Sequence, residues 1–163
     1  MGVVHPICQE VDVRVFRSLD ELTAAVGEEI GPTDWLTLSQ QRVDTFADAT
    51  GDHQWIHVDR ARAAGGPFGG TIAHGYLTLS LVPLLASQLF HIDTMGAKLN
   101  YGVNKVRFPH HVPVGSRIRA TATIAEVVDV PAGKQMITRY VLEIEDVAKP
   151  ACVAETVVLL MHG

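Results

Sequence analysis

Gly75-Tyr76-Leu77-Thr78-Leu79-Ser80-Leu81-Val82-Pro83-Leu84-Leu85-Ala86-Ser87-Gln88-Leu89-Phe90 is the longest apolar run in this chain, and its reading decides the fold. Residues 71–90 contain no Asp, Glu, Lys or Arg, and the length approaches that of a bilayer span. His74, Gly75, Thr78, Ser80, Pro83, Ser87 and Gln88 interrupt it, so a buried helix is expected instead, apolar nearly all round and kinked at Pro83. Past residue 95 the apolar period drops to two. Strands are expected over 97–108, 117–124, 136–144 and 153–161, with turns at 131–134 and 147–150. A helix without a polar face needs cover on every side. The expected class is therefore α+β, with a curved antiparallel sheet wrapped around a long central apolar helix.

Upstream of that run the signals are helical. Ser18 and Glu21 form a capping box before Leu19, Leu22, Ala25 and Val26, and Gly27 is the stop. Gly31-Pro32 is a break. Ser39 caps a second helix carrying Val43, Phe46, Ala47 and Thr50, which ends at Gly51. Asp59 caps a short helix over 60–64, closed by Gly65-Gly66-Pro67. Val11, Val13 and Val15 suggest an edge strand. Residues 1–163 read as one domain, with 1–10 an irregular N-terminal extension lacking the basic and apolar pattern of a signal peptide.

Composition narrows the function classes. The chain is 47% hydrophobic and 19% charged, with a formal net charge of −5, which supports a packed core rather than disorder. Its 13 Lys and Arg are scattered, so no nucleic-acid surface is expected. Cys8 and Cys152 form neither a disulfide framework nor a metal spacing, and suit a reducing cytoplasm. Despite eight His, no H-E-x-x-H or paired C-x-x-C is present, so no metal is expected.

Two segments carry chemistry. Gly51-Asp52-His53-Gln54-Trp55-Ile56-His57 sets a carboxylate and an imidazole five residues apart. Positions i and i+5 share no face of a helix or strand, so joint action requires an irregular turn, which Gly51 permits. Such a pair can orient one water and move its proton; the alternative is a capping Asp and a surface His. Ile72-Ala73-His74-Gly75 opens the apolar helix, where first-turn N–H groups lack intrahelical partners and the helix dipole is positive. Gly75 would let a carbonyl oxygen approach its N–H; the alternatives are tight packing for Gly75 and a cap or core role for His74.

Taken together, residues 46–59 (Phe-Ala-Asp-Ala-Thr-Gly-Asp-His-Gln-Trp-Ile-His-Val-Asp) resemble the signature of the (R)-specific enoyl-CoA hydratases, the MaoC-like dehydratases of the hot-dog fold. The family pattern Gly-Asp-x-Asn-Pro-x-His places its Asp on Asp52 and its His on His57. The family's Ile/Val-x-His-Gly falls on residues 72–75, with the backbone oxyanion donor at Gly75. Residues 104–109 and 112–115 also resemble the family's central strand and following turn, so the likeness spans about residues 35 to 160. Gln54-Trp55 replaces the family's Asn-Pro, as in a subgroup resembling nodulation protein N.

The resemblance implies syn hydration of a trans-2-enoyl thioester, with Asp52 and His57 activating water and the Gly75 N–H receiving the thioester oxygen. Gln54, His74 and Phe68 are candidate substrate contacts, and Leu77, Leu81 and Phe68 candidate walls of an acyl tunnel. It implies no cofactor beyond the acyl-CoA or acyl-carrier-protein thioester substrate, a cytoplasmic role in fatty-acid metabolism, and a homodimer that covers exposed sheet edges. Competing readings are an acyl-CoA thioesterase on the same fold, a non-catalytic or partner-dependent dehydratase subunit, and a role in making a signalling lipid. Thioesterases of this fold usually carry their acid on the long helix, and residues 75–90 have none.

Overall fold

The structure is a computed structural model, which describes residues 13–94 and 96–162. Val11 and the expected extension over 1–10 lie outside the described residues.

The described residues begin with β1 (Arg14–Phe16) and α1 (Leu19–Ala24). Ser18 Oγ accepts from the Glu21 N–H, and the Glu21 carboxylate reaches back to the Arg17 N–H at 2.8 Å, one residue earlier than in a standard capping box. Two short strands follow, β2 (Glu29–Ile30) and β3 (Leu36–Thr37). Then come α2 (Gln40–Thr50), α3 (Trp55–Val58) and α4 (Arg60–Ala64). Ser39 and Asp59 cap α2 and α4 as their side chains foretell, and Gly51 ends α2 with φ of 77°.

The central helix is shorter and more broken than its sequence suggests. It consists of α5 (Gly75–Ser80) and α6 (Val82–Ala86), joined at Leu81. Pro83 cannot donate to the Leu79 carbonyl, so the helical ladder is interrupted there. The last residues of the run leave the helix, and β4 (Phe90–Ile92) pairs in parallel with β1 as a separate two-stranded sheet. One side of the helix is sealed: Leu77, Leu81, Val82, Leu85 and Leu89 are buried. Tyr76 is 71% and Leu84 44% exposed, so the expectation of apolar cover all round fails on one stripe.

The main sheet is antiparallel, with β5 (Lys98–Arg107), β6 (Arg117–Val130), β7 (Gly133–Ile144) and β8 (Val147–Met161). Its order is β2-β6-β7-β8-β5, with β3 also on β6, and it does not close. Inward positions follow the strand period: Ile118, Ala120, Ala122 and Ile124 on β6 alternate with more exposed neighbours. The small Ala120, Ala122, Ala151 and Ala154 leave room for the helix, and these side chains join Leu77, Leu81 and Leu85 in one core. Three strands, β6, β7 and β8, run further than expected. The turn anticipated at 147–150 belongs to β8; the chain reverses at Glu145-Asp146 instead, where Asp146 takes φ of 59°. β5 is the sheet edge and is exposed along nearly all its length, presenting Leu99, Tyr101 and Val103 to solvent.

Candidate active site

Segments 51–57 and 72–75, fifteen or more residues apart, are stitched together by hydrogen bonds. Ile72 is the pivot: its N–H donates to the Ile56 carbonyl at 3.0 Å, and its own carbonyl accepts from His57 Nδ1 at 2.7 Å. Gln40 adds a second clasp, donating from Nε2 to the His57 carbonyl at 2.7 Å and accepting the Thr71 hydroxyl at 2.5 Å. A third runs from His74 Nε2 to the Asp52 carbonyl at 2.9 Å. The expected irregular turn is partly ordered: residues 51–54 are irregular, and His57 sits in the single helical turn α3.

These bonds define protonation. A carbonyl only accepts, so His57 carries its proton on Nδ1 and keeps a lone pair on Nε2, whereas His74 carries its proton on Nε2. The two rings stack, with centroids 3.8 Å apart and planes at 28°. His57 is 6% exposed, and its pKa is lowered, first by burial and also by His74; the Ile72 carbonyl and Asp52 act the other way. His57 is therefore held neutral at pH 7.

A carboxylate oxygen of Asp52 and ring nitrogens of His57 and His74 lie within 4.8 Å of one another. A water donating and accepting bonds of about 2.8 Å at roughly 105° spans about 4.4 Å, so a single water fits between Asp52 and His57. A metal fits less well: imidazole lone pairs lie in the ring planes, and planes stacked at 28° do not converge on an ion about 2.1 Å from both nitrogens.

Gly75 faces the same place. The first bond of α5 runs from the Thr78 N–H to the His74 carbonyl, so the Gly75 N–H has no intrahelical partner. A Cβ at Gly75 would stand 3.0–3.1 Å from the Phe108 ring, so the residue is also tightly packed. With only six residues, α5 contributes less axial dipole than the expected long helix, and the N–H group itself is the donor to consider. A cavity of about 240 Å³ is lined by His57, Ile72, Ala73, Gly75, Phe108, His110, His111 and Val112, among others.

The remaining sequence candidates are dispersed. Asp52 is exposed at the edge of this group, and Gln54 is an exposed residue at the N-cap of α3 whose side chain makes no capping bond. His74 is 2% exposed, Leu77 and Leu81 belong to the core, and none of the three lines this cavity. Phe68 is 39% exposed and packs on His111, ring centroids 4.7 Å apart, at the rim. Trp55 stands where the family pattern has proline; the Arg62 guanidinium lies 4.3 Å from its ring, and Gly66 packs against it. His110 and His111, stacked at 4.5 Å, were not singled out from sequence, and the adjacent pair just after the Phe108-Pro109 signal was the cue available.

A second, more apolar cavity of about 430 Å³ lies at the far end of the helix, between Leu79, Pro83, Ala86 and Phe90 on one side and Val103, Met136, Tyr140 and Val158 on the other. Burial pushes the Tyr140 phenol up to about 12, so it stays neutral there.

The MaoC like domain model matches residues 21–146. A 3-hydroxyacyl-thioester dehydratase Z of Mycobacterium tuberculosis is 54% identical over 147 residues, covering 90% of this chain and 97% of that protein. Nodulation protein N of Rhizobium leguminosarum is 41% identical, covering 88% and 91%. Among solved structures, the (R)-hydratase of A. caviae superposes with a TM-score of 0.68 at 23% identity, covering 83% of this chain and 96% of its own. That likeness establishes a shared fold, the expected helix-in-sheet arrangement.

Proposed function

The chain belongs to the MaoC-like dehydratase family, and from that premise we propose that it is an (R)-specific enoyl-CoA hydratase, adding water syn across a trans-2-enoyl thioester. The observation that carries this reading is the approach of Asp52 and His57 to within one water's reach, beside a cavity that Gly75 also lines.

In the proposed reaction, water donates one proton toward the Asp52–His57 pair as its oxygen bonds to the β-carbon. Charge moves onto the thioester oxygen, to which the Gly75 N–H donates a hydrogen bond. The pair then returns the proton to the α-carbon on the same face. His57 Nε2, with its free lone pair, holds the water, and Asp52 takes and returns the proton. The reverse direction is the dehydration for which the mycobacterial relative is named. No metal or redox group enters this scheme. The apolar 430 Å³ cavity suits an acyl chain, and Pro83, Ala86 and Met136 replace Leu77 and Leu81 as its proposed walls.

The exposed β5 edge, with Leu99, Tyr101 and Val103, and the Tyr76–Leu84 stripe support a homodimer that buries both. Hydrolysis of the thioester is the weaker reading, since residues 75–90 offer no acid.

The test offers crotonyl-CoA to purified protein while following conjugated-thioester absorbance and free thiol together. Loss of conjugation without thiol release supports hydration, thiol release supports hydrolysis, and no change supports a non-catalytic subunit. Coupling to a stereospecific 3-hydroxyacyl-CoA dehydrogenase reads the (R) assignment.

A further inference from the structure

We propose that His74 is a positioning residue for the Asp52–His57 pair, using its Nε2–H to fix the backbone at Asp52 and its ring to support His57. The inference rests on the reading of that pair as the reacting centre.

Asp52 is otherwise loosely held. Its N–H reaches Thr50 Oγ1 at 3.4 Å, and its carboxylate accepts from the Gln54 N–H at 3.4 Å, both at the long limit of a hydrogen bond. The bond from His74 Nε2 to the Asp52 carbonyl, at 2.9 Å, is the shortest one to Asp52 among the described residues. His74 is itself immobilised: it is 2% exposed, its ring lies 3.8 Å from the His57 centroid, and the Phe46 ring packs on it at 5.1 Å. One side chain thus touches both members of the pair, the acid through its backbone and the imidazole through its ring.

Two features separate this role from substrate contact and from core filling. His74 does not line the 240 Å³ cavity, and its single donor is spent inside the protein. Its Nδ1 is buried and makes no hydrogen bond among the described residues, a cost that Leu or Phe in the same space would not carry. The hydrogen bond from Nε2 is what a histidine supplies here that an apolar side chain would not.

The test compares three variants of the full-length protein. His74→Gln places an N–H near the position of Nε2 but lacks the ring. His74→Asn falls short of the Asp52 carbonyl, and His74→Phe keeps a ring of similar size without the donor. Steady-state kinetics with crotonyl-CoA and amide hydrogen exchange at residues 52–54 are measured on each. Loss of the donor in Asn and Phe is expected to lower kcat by about 10²-fold, as small misplacements of reacting groups do, with KM little changed. Exchange at residues 52–54 should quicken in the same variants, and Gln should restore much of both. Should Phe misfold, the Gln–Asn pair alone decides. A raised KM at unchanged kcat, equal kcat losses in Gln and Asn, or unaltered loop exchange in Asn would each overturn the proposal. Exchange is read without substrate, so it tests His74 even where the wild-type protein proves unable to hydrate crotonyl-CoA.

Discussion

The two ends of the central helix solve opposite problems. At its start, around Gly75, backbone carbonyls of residues 52, 57 and 72 are each bound by a side chain from a different segment, and four imidazoles gather about the site. At its far end, around Pro83, apolar side chains such as Leu79, Val82, Phe90, Ile92, Met136 and Leu160 outnumber the polar ones, and the space is nearly twice as large. Polar groups withdrawn from water hold one geometry or pay for the loss, whereas apolar walls tolerate changes of shape. Substitutions at the first end should therefore change rate, and those at the second should change which substrate is accepted.

The largest effects are expected at Asp52 and His57. Asp52→Asn and His57→Ala should each lower kcat by about 10²-fold or more in the crotonyl-CoA assay, and near-normal turnover in both would remove the pair from the mechanism. Gly75→Ala should cost about tenfold or more in kcat, because the new methyl forces Phe108 aside at the cavity wall. At the far end, Ala86→Phe should leave crotonyl-CoA turnover near normal and lower kcat/KM for an eight-carbon enoyl thioester by about tenfold, a loss of similar size to misfit in an apolar pocket. Equal losses on both substrates would erase the contrast between the ends.

The smallest expected effect is on pH dependence. The folded protein protonates His57 less readily than the unfolded chain, whose histidines titrate near ~6.5. As pH falls below that value the unfolded state takes up the proton first, so stability declines until the folded pKa is passed, and is then level. His111, lowered by burial and by His110, adds to the same slope, while exposed His53 beside Asp48 is shifted the other way. The Tm difference between pH 7.5 and 5.5 should shrink in His57→Gln. The acid limb of kcat/KM should likewise lie below pH ~6.5.

Much of this was legible in the chain. Ser18, Ser39 and Asp59 each mark a helix start by a side-chain acceptor, and Gly51 marks a stop by its left-handed backbone, all of them local signals. The proximity of Asp52, His57 and Gly75 was legible only through the family pattern, because the bonds through Ile72 and Gln40 that create it join residues 15 to 31 apart. What escaped were matters of competition. The apolar run resembles one helix until the missing Pro83 N–H and the pairing of Phe90–Ile92 with β1 divide it. Lys149-Pro150 resembles a turn, but Asp146 reverses the chain first, and Pro150 is carried into β8. The stripe of Tyr76 and Leu84 reads as core from its composition, yet both side chains stand exposed.

The tautomers of the two stacked histidines reach further than the site itself. With both ring protons committed to main-chain carbonyls, neither imidazole has one to spare at rest. Whatever hydrogen reaches the α-carbon must arrive with the incoming solvent molecule, and the protein finishes each cycle in the state in which it began. In the proposed chemistry such a centre has no inherent preference between forming and breaking the carbon–oxygen bond. The balance of saturated and unsaturated thioester in its surroundings would decide which way it runs, and in heavy water each new product should carry one deuterium at the α-carbon.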